Sequence, residues 1–292
     1  MRFRDCMSAG MGAKWNQEAL RRSRRIVAGA LFLVVTLLAS AQAQFFFKVY
    51  PYKTADAGAI EVSYFSTFIP SSDEGLRFRN GEEYSREDLW AHSLEVEYGL
   101  SHKLTVGYYA DFLNPDEGDF EYIQSKLLAR YRLFEKRELP VDLALYGEYI
   151  IPDRDYSDSE KFEFRIVIEK DWGPWRLDLN PILEKVTSGD DVEEGLEFAY
   201  AAGFYYENMG DGIWCMDSLH VVPGIELYGS VGELAAAGGW DERRHYLFPV
   251  VDVFVPRYSD WKVHWNFGPG FGISDAADDV VIKSILTAEF VF

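Results

Sequence analysis

Cysteine is almost missing from this chain of 292 residues: there are two, Cys6 and Cys215. Missing too, beyond residue 43, is any run of about 20 apolar residues, which excludes a helical membrane protein. None of the five histidines sits in an HExxH, CxxC or His-x-Ser pattern, so no zinc-protease or nucleophile motif is available. Basic residues are also scarce. Lys and Arg number 29 against 48 Asp and Glu, the wrong sign for binding nucleic acid.

What the chain has is a leader and an excess of aromatics. Arg21, Arg22, Arg24 and Arg25 precede an apolar stretch at 26–38, and Ala41-Gln42-Ala43 gives a small-x-small cleavage site. Together they read as a secretory signal peptide over 1–43. Its removal takes seven basic and two acidic residues, leaving 22 and 46, a formal charge of -24. Cys6 goes with it, so Cys215 is left without an internal disulfide partner. Phe, Tyr and Trp make up 16% of the sequence, a composition that suits aromatic girdles at two membrane interfaces.

The last thirteen residues, VVIKSILTAEFVF, alternate with period two. Phe292, Phe290, Ala288, Leu286, Ser284, Ile282 and Val280 form one face, while Lys283, Thr287 and Glu289 lie on the other. Such alternation fits a strand with one side in an apolar medium and the other toward a polar interior. The pattern recurs upstream. One strand, turn, strand unit runs from Trp90 through a tight turn at 99–103 to Phe112, and another strand covers 122–133 with Ile123, Leu127, Ala129 and Tyr131 outward. About twelve such strands follow one another, each near the 9–11 residues a tilted membrane strand needs. Short turns alternate with long acidic loops, at 70–88, 114–119, 152–159, 187–193, 229–242 and 274–279. A soluble sandwich has no reason for that segregation, whereas a membrane barrel has short turns on one side and long loops on the other. An even strand count puts both termini on one side, expected to be the periplasm of a Gram-negative bacterium. The expected organisation is therefore a signal peptide at 1–43, a short periplasmic lead-in at 44–57 and, over 58–292, an all-β, closed antiparallel transmembrane barrel in the outer membrane.

Two resemblances go further. The ending EFVF resembles the C-terminal signature of bacterial outer-membrane barrels, which implies that Phe290 and Phe292 are read by the barrel assembly machinery. The segment LEVEYGLSHKLTVGYYADF, residues 94–112, resembles the hairpin of the barrels grouped as the MetA-pathway phenol-degradation or transporter-like family. That resemblance implies a transport-related role and no catalytic residues.

The inward faces carry charge of both signs: Lys126, Arg130 and Arg132, then Asp142 and Glu148, then Glu163, Arg165 and Glu169, then Arg176 and Asp178. They could form a charged constriction that selects solutes by sign, or pair across the lumen and fill it, as in small barrels. Inward positions total fourteen carboxylates against eight bases, so an open pore is expected to prefer cations weakly. His264 lies beside Asn266, but no inward Ser accompanies it, so a catalytic constellation is not expected. Neither a cofactor nor a defined metal cage is expected, and the external Asp clusters read as a solvated face. The expected partners are outer-membrane lipids, the assembly machinery and small solutes. A plugged structural or adhesive barrel, and an enzyme acting on lipid, stand as the alternatives.

Overall fold

The computed structural model describes residues 45–116, 118–207, 219–235, 239–258 and 261–291. The signal peptide expected at 1–43, Gln44, Cys215 and Phe292 lie outside these residues. Twelve strands close into a single antiparallel barrel. In chain order the strands are β1 (Ala59–Ser71), β2 (Gly75–Arg77), β3 (Glu83–Ser85), β4 (Leu89–Gly99), β5 (Leu104–Asn114), β6 (Glu121–Arg132) and β7 (Asp142–Pro152). They continue with β8 (Glu160–Trp172), β9 (Trp175–Ser188), β10 (Glu197–Tyr206), β11 (His220–Glu233), β12 (His245–Tyr258), β13 (Trp261–Gly272) and β14 (Val280–Val291). Among the described strands, only β2 and β3 stand outside the barrel, as a small hairpin within the 72–88 loop.

Closure is made by the stretch that shows the clearest alternation. β14 pairs with β1 from Val291 opposite Ala59 to Ile282 opposite Phe68, and β1 continues the ring to β4. A closed ring leaves no edge strand, which a lipid-exposed sheet cannot tolerate because its free N–H and C=O groups would have no partner. Period two then sorts the side chains. Leu94, Val96, Leu127, Ile166, Leu179, Ile225 and Leu286 are exposed on the outside, while Glu95, Glu97, Glu163, Arg165, Asp178 and Lys283 are buried inside. Aromatic residues bracket the outer apolar band: Phe68, Trp90 and Phe112 near the loop end, Tyr98, Trp172, Trp175 and Phe290 near the turn end. At the turn end, Gly173 adopts a φ of 61° between Trp172 and Trp175, a left-handed conformation that glycine takes without a Cβ penalty.

Two expectations need correction. Ile123 faces in, not out: it is 1% exposed. Opposite it the register shifts, with Asp111 facing Gln124 but Phe112 facing Tyr122, so a β-bulge at Ile123 turns its side chain to the interior. The larger difference concerns the stretch assigned to a lead-in outside the barrel. Residues 45–57 run through the lumen, where Phe45, Phe47, Tyr50, Tyr52, Thr54 and Ala55 are all buried.

Candidate functional site

The lumen is built around that threaded segment, which makes no sheet ladder and is held by inward side chains. Tyr50 donates its N–H to Asn180 Oδ1 at 2.7 Å and accepts from Asn180 Nδ2 at 3.1 Å. Tyr52 N donates to Glu169 at 2.9 Å, Ala55 N to the Thr105 hydroxyl at 3.0 Å, and Lys283 Nζ to Phe47 O at 3.3 Å. Buried backbone groups need partners, and here strands from around the ring supply them. Phe47 packs edge-on against Tyr228 and Tyr246 with centroids 5.2 and 5.1 Å away. The guanidiniums of Arg130 and Arg165 lie 5.4 and 5.1 Å from the Tyr50 ring.

All ten inward charges expected from the sequence line this interior, and most are neutralised by neighbours. Lys126 pairs with Asp111 at 3.2 Å and Glu148 at 3.5 Å, and Arg130 with Glu97 at 2.9 Å. Arg165 pairs with Glu163 on its own strand, and Arg176 with Asp178 at 3.0 Å. Glu169 accepts from Lys136 at 2.8 Å as well as from Tyr52, Asp142 accepts from the Arg137 backbone, and Arg132 lies over the Tyr52 ring at 5.6 Å. Of the two aromatics expected to direct assembly, Phe290 faces outward opposite Ile60 and is 40% exposed.

Sequence reasoning missed four lumen bases. Lys48 meets Glu95 at 2.7 Å and Lys53 meets Glu289 at 3.2 Å, both arriving on the threaded segment. Lys161 meets Glu184 at 2.7 Å. Only Lys161 left a signal, since its position next to outward Phe162 puts it on the inner face. The fourth, Lys136, reaches in from the turn after β6 and meets Asp171, a further inward carboxylate, at 3.0 Å, so fifteen carboxylates face twelve bases and the surplus falls from six to three. At the turn end, Asp142, Glu169 and Asp171 bring carboxylate oxygens within 4.8 Å of one another. Lys136 already fills that cluster, at 2.8 Å from Glu169 and 3.0 Å from Asp171. Burial pulls its ammonium down, but the two carboxylates outweigh burial and raise it to about 12. At the same end of the barrel, the hydrogen bond from Lys262 holds Asp56 down at about 2.

His264 presents Nε2 to Asp252 Oδ1 at 2.7 Å and stacks on Phe254 with centroids 4.4 Å apart. Thr287 is its cross-strand neighbour and bonds Ser63 at 2.7 Å. His264 has a carboxylate partner, then, but no hydrogen bond to a hydroxyl among the described residues.

The segment splits the remaining space. A cavity of about 510 Å³ lies toward the turn end, with Glu61, Asp178, Glu226, Phe254 and His264 among its walls. On the other side a pocket of about 130 Å³ adjoins Phe46, Lys126, Glu148 and Arg165. At the loop end the lumen is capped. The 72–88 loop reaches across to the opposite loops, with Arg79 N and Asn80 N donating to Tyr156 O and Asp155 O. Arg86 forms two hydrogen bonds with Asp278, both 2.8 Å, and stacks over Phe45 at 4.5 Å.

No family model matches the chain, and no curated protein matches it. Solved structures do. An outer-membrane channel from Pseudomonas putida superposes with a TM-score of 0.53 at 16% identity, over 84% of this chain and 100% of the other. The KdgM porin in complex with disordered oligogalacturonate gives 0.44 at 6%, over 80% and 99%. Outer membrane phospholipase A from Escherichia coli gives 0.39 at 12%, over 88% and 96%. At such identities the likeness to the first is one of fold, and the fold is that of bacterial outer-membrane barrels.

Proposed function

We propose that this chain is a narrow outer-membrane channel for small solutes, with both termini in the periplasm and a weak preference for cations. The observation that carries the reading is the cavity of about 510 Å³ in the turn-end half of the lumen. It is bordered by a segment whose backbone is held by side chains rather than by a sheet ladder. Side-chain anchors can release one at a time, whereas a strand of the ring could not leave without exposing an edge. The pathway therefore has a movable element inside a fixed wall. The lumen as a whole keeps a surplus of three carboxylates, and charges along a low-dielectric cleft concentrate counter-ions. The resemblance of residues 94–112 to transporter-like barrels supports the same role. Anchoring by outer-membrane lipids and recognition of Phe290 and Phe292 by the assembly machinery complete it.

Reversal potentials across planar bilayers under a salt gradient test this reading. A small current that favours cations is expected, with the preference fading above physiological salt as the screening length falls below about 8 Å. Anion selectivity at low salt would refute the preference. The capped loop end favours a second reading, a plugged barrel without conductance. A silent bilayer with and without residues 45–57 would decide for it.

A further inference from the structure

The cavity has more acceptors than its own cations use. Every basic side chain on its walls already has a carboxylate within salt-bridge distance, from Lys48 with Glu95 at 2.7 Å to Lys262 with Glu289 at 2.6 Å. The acids are not all used in return. Glu61 lines the cavity and makes no hydrogen bond or salt bridge with any described residue. Its directly opposite cross-strand neighbours are also carboxylates, Glu289 on β14 and Glu97 on β4. Like charges placed opposite one another are unfavourable; Arg130, Lys53 and Lys48 act on Glu61 from further off, but none comes within salt-bridge distance of it.

Independent signs come from elsewhere on the same walls. Asp178 is 1% exposed, and while Arg176 engages its Oδ2, its Oδ1 is buried without a partner. Asn266 also leaves Oδ1 unpartnered, and its amide orientation is fixed because Nδ2 donates to both Asp252 and Glu226. Leaving a buried acceptor unmade costs about 1–3 kcal/mol and more where the group is charged, and on the described walls of this cavity two acceptors are left so against one donor, Arg130 Nε. Apolar walls from Val49, Phe254 and Ile285 complete the lining. A volume of about 510 Å³ falls in the range of small-molecule sites.

We propose that this cavity binds a small organic cation, a primary ammonium on a short apolar body, with Glu61 as its counter-ion. An ammonium carries three donors and no acceptor, the complement of walls whose bases are all paired and whose acids are not. A bare divalent metal fits less well, because it needs several oxygens converging at about 2.3–2.6 Å, and Glu61 belongs to no such grouping among the described residues. Phe254 offers an aromatic edge or face to the organic part. The inference rests on the channel reading and names the solute class that reading leaves open.

The test uses the purified chain folded in detergent micelles, with ligand-observed NMR and protein-free micelles as the blank. Three matched probes are titrated: pentylamine, 1-pentanol and pentanoate. Saturable binding of pentylamine is expected, with the alcohol about tenfold weaker, the size of one charged hydrogen bond in a site shielded from water. Pentanoate should not bind. Because Glu61 has no partner to orphan, Glu61→Gln should fold normally, checked by heat-modifiable migration on a gel, and bind pentylamine about tenfold more weakly. Equal affinity for amine and alcohol, or unchanged amine affinity in the folded Glu61→Gln variant, overturns the site. Bilayer currents separate the two readings. Saturable amine binding without conductance keeps the site and removes the channel, whereas cation-selective conductance without saturable binding does the reverse.

Discussion

Asn180 holds Tyr50 by both sides of its backbone, accepting from its N–H at 2.7 Å and donating to its C=O at 3.1 Å. One amide side chain thereby replaces two rungs of a sheet ladder at a buried position. Asn180→Leu removes both bonds while keeping the volume, so Tyr50 loses two partners and the threaded segment should loosen. In bilayers we expect more frequent open events for Asn180→Leu and a larger, steadier current for a chain lacking residues 45–57. Traces identical to those of the unaltered protein in both variants would show that the segment does not limit the pathway.

The cap at the loop end should depend on acid in a defined way. Arg86 and Asp278 are both 0% exposed. Burial pushes the Asp278 carboxyl up, but Arg86, Ser72 and Tyr246 outweigh burial and hold it at about 2, below its ordinary value of 3.8. A depressed carboxylate stabilises the folded form above its ordinary value and loses that contribution as pH falls toward its folded value. The 72–88 loop should therefore stay protected from hydrogen exchange between pH 7 and about 4 and lose protection below. Asp278→Ala leaves a buried guanidinium unpaired, a cost of about 3–5 kcal/mol, and should expose the loop already at pH 7. Equal protection in both proteins would remove the ion pair from the account.

Most of the wall could be read from the sequence, because each strand alternates over its whole length and closure follows from the same rule that orients Phe290 outward and Glu289 inward. Ile123 escaped because a bulge breaks the period at one position, and an added residue leaves no mark in a pattern of apolar letters. The threaded segment escaped for a different reason. Residues 45–57 have aromatics and Pro51 but no alternation, as expected of a chain surrounded on all sides by side chains, so nothing in its pattern distinguishes the inside of a barrel from the space beside it. The ten expected charges fell where inward parity put them. Their partners did not follow from parity, since Lys48 and Lys53 come from outside the wall.

The outward face carries its own test. Leu127 sits mid-strand on β6 and is 52% exposed. On the outside of a soluble protein, Leu127→Arg would be nearly neutral. In a bilayer it should cost about 2–4 kcal/mol, the depth-dependent penalty for Arg on the lipid face of a barrel. Urea titration of the chain refolded in lipid vesicles measures the difference. A change within experimental scatter would mean that this face does not meet lipid.

The direction of insertion follows from which connections are long. Residues 153–159 join Pro152 on β7 to Glu160 on β8, and 189–196 join Ser188 on β9 to Glu197 on β10. These loops lie at the end of the barrel where Arg86 meets Asp278, for Arg79 reaches Asp158 at 2.8 Å and Asp190 at 3.7 Å. The turn at 100–103 lies at the opposite end, where Gly58 N donates to Gly99 O. If the termini are periplasmic, single cysteines at Asp155 and Asp190 should react with a membrane-impermeant maleimide on intact cells, and one at Ser101 only after the outer membrane is opened. Replacing Cys215 with Ser first removes the native thiol from the readout. Asp190 is the cleaner of the two loop sites, because its carboxylate is 80% exposed and its pairing with Arg79 is correspondingly weak, so its loss should not unseat the cap. Labelling at Ser101 but at neither loop position would reverse the orientation, and the cavity of about 510 Å³ would then open to the cell exterior instead of the periplasm.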